Sequence, residues 1–172
     1  MIDTTAREIA ILETVQSTVG SHPAAIPAAR AMSHFGEHAL GWMGIAAVGA
    51  LADPARRKQW IGVGVGAVGA HAASIVIKRV VRRRRPDDPR VVVNVSTPSR
   101  LSFPSSHATS TTAAAILLGR LTGLPVAPII VPPMMLSRLV LGVHYPTDVA
   151  AGAALGAASA AAVIAYENRS QR

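Results

Sequence analysis

Five stretches of this chain, residues 40–52, 61–77, 108–119, 124–136 and 149–165, carry almost no charge, and the Arg, Lys, Asp and Glu residues crowd into the segments between them. A helix on the surface of a soluble domain keeps a polar face, whereas one apolar all round is buried in protein or in lipid. Crossing a bilayer takes about 20 apolar residues, so several of these stretches must borrow flanking positions to span. They are built from Ala, Gly, Val and Ser more than Leu and Phe, which suits helices that approach closely in lipid through small faces. Gly62, Gly64, Gly66 and Gly69 in the second stretch and Gly152 and Gly156 in the fifth are the plainest cases. The expectation is an all-α, polytopic membrane helix bundle with about five transmembrane helices; the competing reading is an Ala-rich soluble bundle.

Ahead of the first stretch, residues 4–19 set Ile9, Leu12, Val15 and Val19 at three- and four-residue spacing, with Arg7, Glu8, Glu13 and Gln16 elsewhere. That pattern predicts an N-terminal amphipathic helix, lying on a membrane surface or packed on the bundle. Asp3, Glu8 and Glu13 interrupt any apolar core that a cleaved leader would need. Pro23 and Pro27 are expected to break the helical pattern before the polar stretch Ser33 to His38. The whole reads as one domain, 1–172: an interfacial region 1–35, a bundle 36–166, and a long polar loop 79–106 in which Val91, Val92 and Val93 suggest a short extended piece. Ser105 or His107 begins the third helix, and Pro132-Pro133 should kink the fourth.

With no cysteine, thiolate metal sites and disulfides are excluded. The net charge of +8 suits anionic partners. The basic run Arg79 to Arg85 contains no aromatic residue to stack on bases, which favours lipid headgroups over nucleic acid.

Three separated groups carry the chemistry: Lys78 with Arg85-Pro86; Pro104-Ser105-Ser106-His107; and Ser137-Arg138 with His144 and Asp148. Five crossings bring the ends of the second and fourth spans and the starts of the third and fifth to one face, so the three groups converge there. A phosphate monoester needs fixed cations and donors around its oxygens, because charge develops on them during transfer. Lys78, Arg85 and Arg138 offer the cations, arginine as a planar fork and lysine as a point charge. The Ser105 hydroxyl and main-chain N–H groups near Ser106 and His107 offer donors at a helix start, where the dipole favours an anion. Carboxylate clusters of the kind that hold Mg²⁺ are missing from these groups, so no metal or other cofactor is expected. His144 and Asp148 are one helical turn apart; a carboxylate holding one ring nitrogen would leave the other to attack phosphorus. His107 then protonates the departing alkoxide and later activates water.

The three groups resemble the signature of the type 2 phosphatidic acid phosphatase superfamily, membrane phosphatases that share their site with vanadium haloperoxidases. The resemblance implies a covalent phosphohistidine on His144 and acid–base work by His107. One position departs from it: the family usually has glycine where this chain has Ser106, and the added side chain stands to crowd the main-chain donors. Within the superfamily, the small Ala-rich chain and its segment Gly36-Glu37-His38-Ala39-Leu40-Gly41-Trp42 are similar to actinobacterial decaprenylphosphoryl-5-phosphoribose phosphatases. That similarity implies a prenyl-linked phosphoribose as substrate, in cell-wall arabinan precursor synthesis.

Other polar residues take plainer readings. Arg79, Arg82, Arg83 and Arg84 read as a juxtamembrane topology signal or acidic-lipid patch. His34, Glu37, His38 and Trp42 recur at helical spacing, as a packed or interfacial face or as headgroup contacts. His71, inside the second span, is expected to hydrogen-bond within the bundle. Asp148 also suits a helix N-terminus. On the side of the three groups lie Arg7, Arg30, Arg79, Arg82, Arg83, Arg84, Arg90 and Arg100; opposite are Arg56, Arg57, Lys58, Arg169 and Arg172, with Arg120 near the edge. Basic residues favour the cytoplasm, which puts the site on the cytoplasmic face of the plasma membrane.

The expected partners are therefore the bilayer and a prenyl-linked or other phospholipid substrate, with no nucleic acid. Small-residue faces permit a homo-oligomer, and a prenyl-phosphoribose synthase is a candidate partner. Competing functions are a phosphatidylglycerophosphate or polyprenyl diphosphate phosphatase, a vanadate-dependent peroxidase, and a non-catalytic basic scaffold.

Overall fold

The computed structural model describes residues 4–170; Asp3 and Arg172 lie outside them. Seven α-helices account for nearly all the regular structure: α1 Thr4–Thr18, α2 Ala25–Gly36, α3 Leu40–Ala52, α4 Arg57–Val81, α5 Ser106–Thr122, α6 Val126–Val140 and α7 Pro146–Ser170. The five charge-free stretches fall in α3 to α7: α4, α5 and α7 run beyond theirs at both ends and α6 at its C-terminal end, while α3 coincides with its stretch. At 1.5 Å per residue α4 and α7 reach about 37 Å, enough for a hydrocarbon layer of about 30 Å. Among the described residues these two helices are long and apolar enough to cross a membrane unaided. Leu51 and Val80 are both 78% exposed, and Val48, Val65, Val76 and Ile129 also point outward. Apolar side chains facing away from the core are what a lipid-embedded surface needs.

α5 is the central rod. Its face is buried along nearly the whole length, from Ser106 to Leu118, against α4, α6 and α7. Small residues permit the approach: a Cβ on Gly152 of α7 would lie 2.6 Å from the Ser105 carbonyl oxygen, and one on Gly156 would meet the Thr109 carbonyl. Ala46, Val63, Ala67, Ala114, Leu117 and Ala160 fill the space between α3, α4, α5 and α7. Trp42 joins them, with its Nε1–H donating to Thr111 Oγ1 at 3.1 Å. It is therefore a core residue rather than an interfacial one.

Pro23 lies in the turn between α1 and α2, as expected, but α2 corrects the expectation for Pro27. Pro27 is the third residue of this helix, where a missing N–H costs nothing because first-turn donors have no intrahelical acceptor. α6 runs as a helix that contains Pro132 and Pro133. Residues 91–93 form no strand; among the described residues the bridge Arg84–Leu101 is the one β contact outside the helices. Val92 instead binds the Gln16 side chain of α1 through both main-chain groups, at 2.7 and 2.9 Å. α1 packs on the bundle through Ile9 and Leu12.

Candidate active site

Lys78, Arg85, Ser106, His107, Arg138 and His144 line one cavity of about 350 Å³. Four chain ends deliver them. α4 stops at Arg82, which turns left-handed (φ 55°) and directs the following loop back across the helix end. The loop closes on itself through Arg85 N–H to the Arg100 carbonyl, 3.2 Å, and Ser102 N–H to the Arg83 carbonyl, 2.8 Å. Lys78, 7% exposed, donates to the carbonyls of Ser102 at 2.9 Å and Pro104 at 2.6 Å, with Leu101 at 3.4 Å. Its three N–H bonds thus hold the turn into α5, and only its charge is available to a ligand unless one is released.

Ser105 caps α5, its Oγ accepting the Ala108 N–H at 3.4 Å, while its own N–H donates to the Asp148 carbonyl at 2.9 Å. It is fully buried and is absent from the cavity wall. The Ser105 hydroxyl thus accepts as a helix cap, a role that leaves its own proton to donate. Ser106 does reach the cavity wall, with its hydroxyl 2.7 Å from that of buried Ser74 on α4, which in turn lies 2.6 Å from the His71 carbonyl. The side chain that replaces the family's glycine is thus turned into an α4–α5 contact rather than against the helix N–H groups.

Arg138, in the last turn of α6, is 1% exposed, and its Nε and Nη1 have no protein partner. An orphaned buried guanidinium is costly, and an anion in the cavity would satisfy it. Two residues after α6, Gly142 adopts φ 69° and reverses the chain so that His144 turns inward. A Cβ there would also collide with the Val92 carbonyl, so the position is closed to other residues twice over.

His144 is 2% exposed. Arg85 Nη1 lies 3.2 Å from its Nε2 and donates to the Val143 carbonyl at 2.6 Å, and Arg85 Nε binds the Ser99 carbonyl at 2.8 Å. Because guanidinium only donates, Nε2 must present its lone pair and the ring proton sits on Nδ1. Asp148 Oδ2 is 3.5 Å from that Nδ1 and accepts the Tyr145 N–H at 2.8 Å. The carboxylate caps α7 firmly and faces the imidazole at ion-pair rather than hydrogen-bond range. Burial first, then the positive charge of Arg85, holds the His144 imidazole well below its usual 6.5, so it stays neutral. Burial pushes Arg85 down to about 10, which leaves it cationic.

His107 Nε2 is 2.9 Å from the Ser33 carbonyl oxygen near the end of α2. As a donor there it leaves Nδ1 for proton traffic. Gly36, one turn on, makes room for the ring: a Cβ would sit 2.7 Å from His107 Cδ2.

Two groups behave unlike their sequence readings. Arg83 is no free topology charge: Nη2 pairs with Glu8, Nη1 binds Asp148 Oδ1 at 2.9 Å and Thr147 Oγ1 at 2.7 Å, and the guanidinium lies 3.9 Å over the Tyr145 ring. Glu8 also accepts the Thr147 N–H at 3.0 Å, so α1 is tied through Arg83 to Asp148. The His71 ring does not hydrogen-bond as expected: its Nδ1 is buried without a partner, and the ring lies 5.6 Å from that of His38. His38 and Ala39 are both left-handed (φ 49° and 60°), a conformation that costs non-glycine residues about 1 kcal/mol or more each. His34, Glu37 and His38 line the cavity beside His71. Among the described residues no cluster of His, Asp and Glu is arranged as a metal site.

The PAP2 superfamily profile matches residues 59–172, which contain all three groups. The chain belongs to the PAP2 superfamily. A decaprenylphosphoryl-5-phosphoribose phosphatase of Mycolicibacterium smegmatis is 61% identical over 152 residues, 88% of this chain and 84% of that protein. One from Mycobacterium tuberculosis (strain CDC 1551 / Oshkosh) is 56% identical over 165 residues, covering 96% and 93%. In fold, a transmembrane PAP2-type phosphatidylglycerolphosphate phosphatase from Bacillus subtilis superposes with a TM-score of 0.81 at 21% identity, over 98% of this chain and 88% of that one. A bacterial vanadium-dependent iodoperoxidase gives 0.79 at 17% identity, over 95% of this chain and 49% of that one. PAP2 membership and the fold match agree with an all-helical membrane protein.

Proposed function

We propose that this protein is an integral membrane, metal-independent lipid phosphatase that removes the 5-phosphate from decaprenylphosphoryl-5-phosphoribose. One observation carries the chemistry: the unpaired, buried guanidinium of Arg138 shares a cavity with the two imidazoles of His107 and His144. The relatives' names carry the substrate.

In the reaction, Arg138 and Arg85 bind the phosphoryl oxygens, with the Lys78 charge and the α5 N–H groups beside them. Binding draws the Arg85 N–H from Nε2 of His144 to the phosphate and so frees the lone pair. Nε2 attacks phosphorus, the bond from phosphorus to the ester oxygen breaks, and protonated His107 gives its proton to the alkoxide. Asp148 stabilises the positive ring that results. Water, deprotonated by His107, then attacks phosphorus, the P–N bond breaks and inorganic phosphate leaves.

The chain acts as one unit, 1–172. α3 to α7 serve as the five spans, and α1 rests at the interface, held to the bundle by Glu8 and Gln16. The excess of arginines on the site side supports a cytoplasmic active site in the plasma membrane. The glycine contacts already described serve packing within one chain, so a homo-oligomer or a synthase complex remains a separate proposal, tested by size in mild detergent.

Phosphate release in EDTA from prenylphosphoryl ribose 5-phosphate, phosphatidylglycerophosphate and prenyl diphosphate tests the reading. Preference for the ribose ester, with loss in His144→Ala, is expected. Preference for either other lipid would refute the substrate, and full activity of His144→Ala would refute the mechanism in favour of a scaffold.

A further inference from the structure

The cavity is larger than its chemistry needs. A phosphate group occupies only a fraction of 350 Å³, a volume in the range that holds small organic ligands. Its cationic wall is formed by Arg85, Arg138 and Lys78; another part is lined by Glu37, His38 and His71. A carboxylate facing an anion site repels the phosphate, so Glu37 has no use in binding one. Its carboxylate, half exposed and 4.0 Å from His34 Nδ1, can only accept hydrogen bonds, so a ligand that reaches it must donate them. The orphaned Nδ1 of His71 needs a partner of its own, at a depth in α4 where protein supplies none. The consecutive left-handed residues His38 and Ala39 keep the His38 ring against that of His71, a strained backbone of the kind found at ligand clamps. None of the three belongs to the groups that bind or cleave phosphate.

We infer that Glu37, His38 and His71 form a polyol-recognition subsite that hydrogen-bonds the sugar hydroxyls next to the scissile phosphate. The inference rests on the proposed substrate being a sugar phosphate on a prenyl carrier. His71 lies seven residues, about 10 Å, before Lys78 along α4, away from the loop that closes the phosphate end. Phosphate and sugar would thus follow one another along the cavity, away from the loop. A site built to bond hydroxyls rejects analogues that lack them far more strongly than an apolar pocket rejects a missing methylene.

The test compares kcat/KM on prenylphosphoryl ribose 5-phosphate with kcat/KM on phosphatidic acid, which has no sugar, for wild type, Glu37→Ala, His38→Ala and His71→Gln. Glu37 and His38 are exposed at the cavity mouth, so their variants fold even if the His71 change does not. The ratio of the two values is expected to fall at least about tenfold in the Glu37 and His38 variants. A ratio within twofold of wild type, while wild type turns over the ribose ester, would overturn the subsite and leave the function standing. Wild-type activity on phosphatidic acid with none on the ribose ester would instead refute the substrate, and the subsite with it.

Discussion

Arg85 Nη1 sits 3.2 Å from Nε2 of His144, so the cation that is to bind phosphate also covers the nucleophile's lone pair. In the proposed reaction a phosphate uncovers His144 by competing for the same N–H. The arrangement needs a planar fork that spans the Ser99 and Val143 carbonyls while still reaching the imidazole.

Arg85→Lys keeps the charge and loses the fork. Its kcat is expected to fall by about 10²-fold, the usual size for removal of one transition-state donor. Steady-state phosphate release measures it, and a loss under threefold would show that charge alone suffices.

Gly36→Ala should act on His107 alone among the catalytic groups, since the new Cβ would displace its ring. A poor general acid matters most for a poor leaving group. The expected loss is at least about tenfold on an alkyl phosphate and much smaller on p-nitrophenyl phosphate, within the range of general acid catalysis. Equal losses on both esters would point to a general packing defect.

Much of this was legible in the sequence, and the reasons are physical. The helices announced themselves because apolar windows end where charges begin, and Ser105 sits at the start of α5, one of the two positions marked for it. What stayed hidden depends on contacts between distant positions that follow no period. Glu8 reads as one more polar residue of an amphipathic helix, yet its carboxylate meets Arg83 and Thr147 across the fold. Gly36 gains meaning only beside His107, and Ser106 only beside Ser74. Pro27 misled because its effect depends on whether it falls in the first turn of a helix.

Glu8 offers a pH-dependent prediction. Burial raises its carboxyl, but bonds from Thr147 and Arg83 outweigh this and leave it below its ordinary 4.5. A depressed carboxylate lends stability that is present above the unfolded value and lost as pH falls through the folded one. Wild type should therefore lose stability below about pH 4.5 more steeply than Glu8→Gln, which should be about 2 kcal/mol less stable at neutral pH. Thermal unfolding in detergent across pH 3 to 7 checks both statements.

His144 titrates with the same sign at higher pH. Held below 6.5 in the folded protein, it binds a proton more readily once unfolded, so its contribution is complete above 6.5 and declines as pH falls. The same unfolding series on His144→Gln should show a shallower decline between pH 6.5 and 5. Parallel curves would mean that the ring is not held neutral by burial.

The Ser74–Ser106 contact predicts a coupling. Ser74→Ala and Ser106→Ala should each destabilise, and the double variant should cost about 1 kcal/mol less than their sum, the worth of one buried hydrogen bond. Strict additivity would separate the two hydroxyls.

The central claim is that phosphate passes through Nε2 of His144, and rapid denaturation of the enzyme during turnover of a ³²P-labelled substrate tests it most directly. The account predicts an acid-labile, base-stable label on His144 in the wild-type enzyme that is absent from His144→Ala. A label on any other residue, or phosphate release by His144→Ala at the wild-type rate, would contradict it.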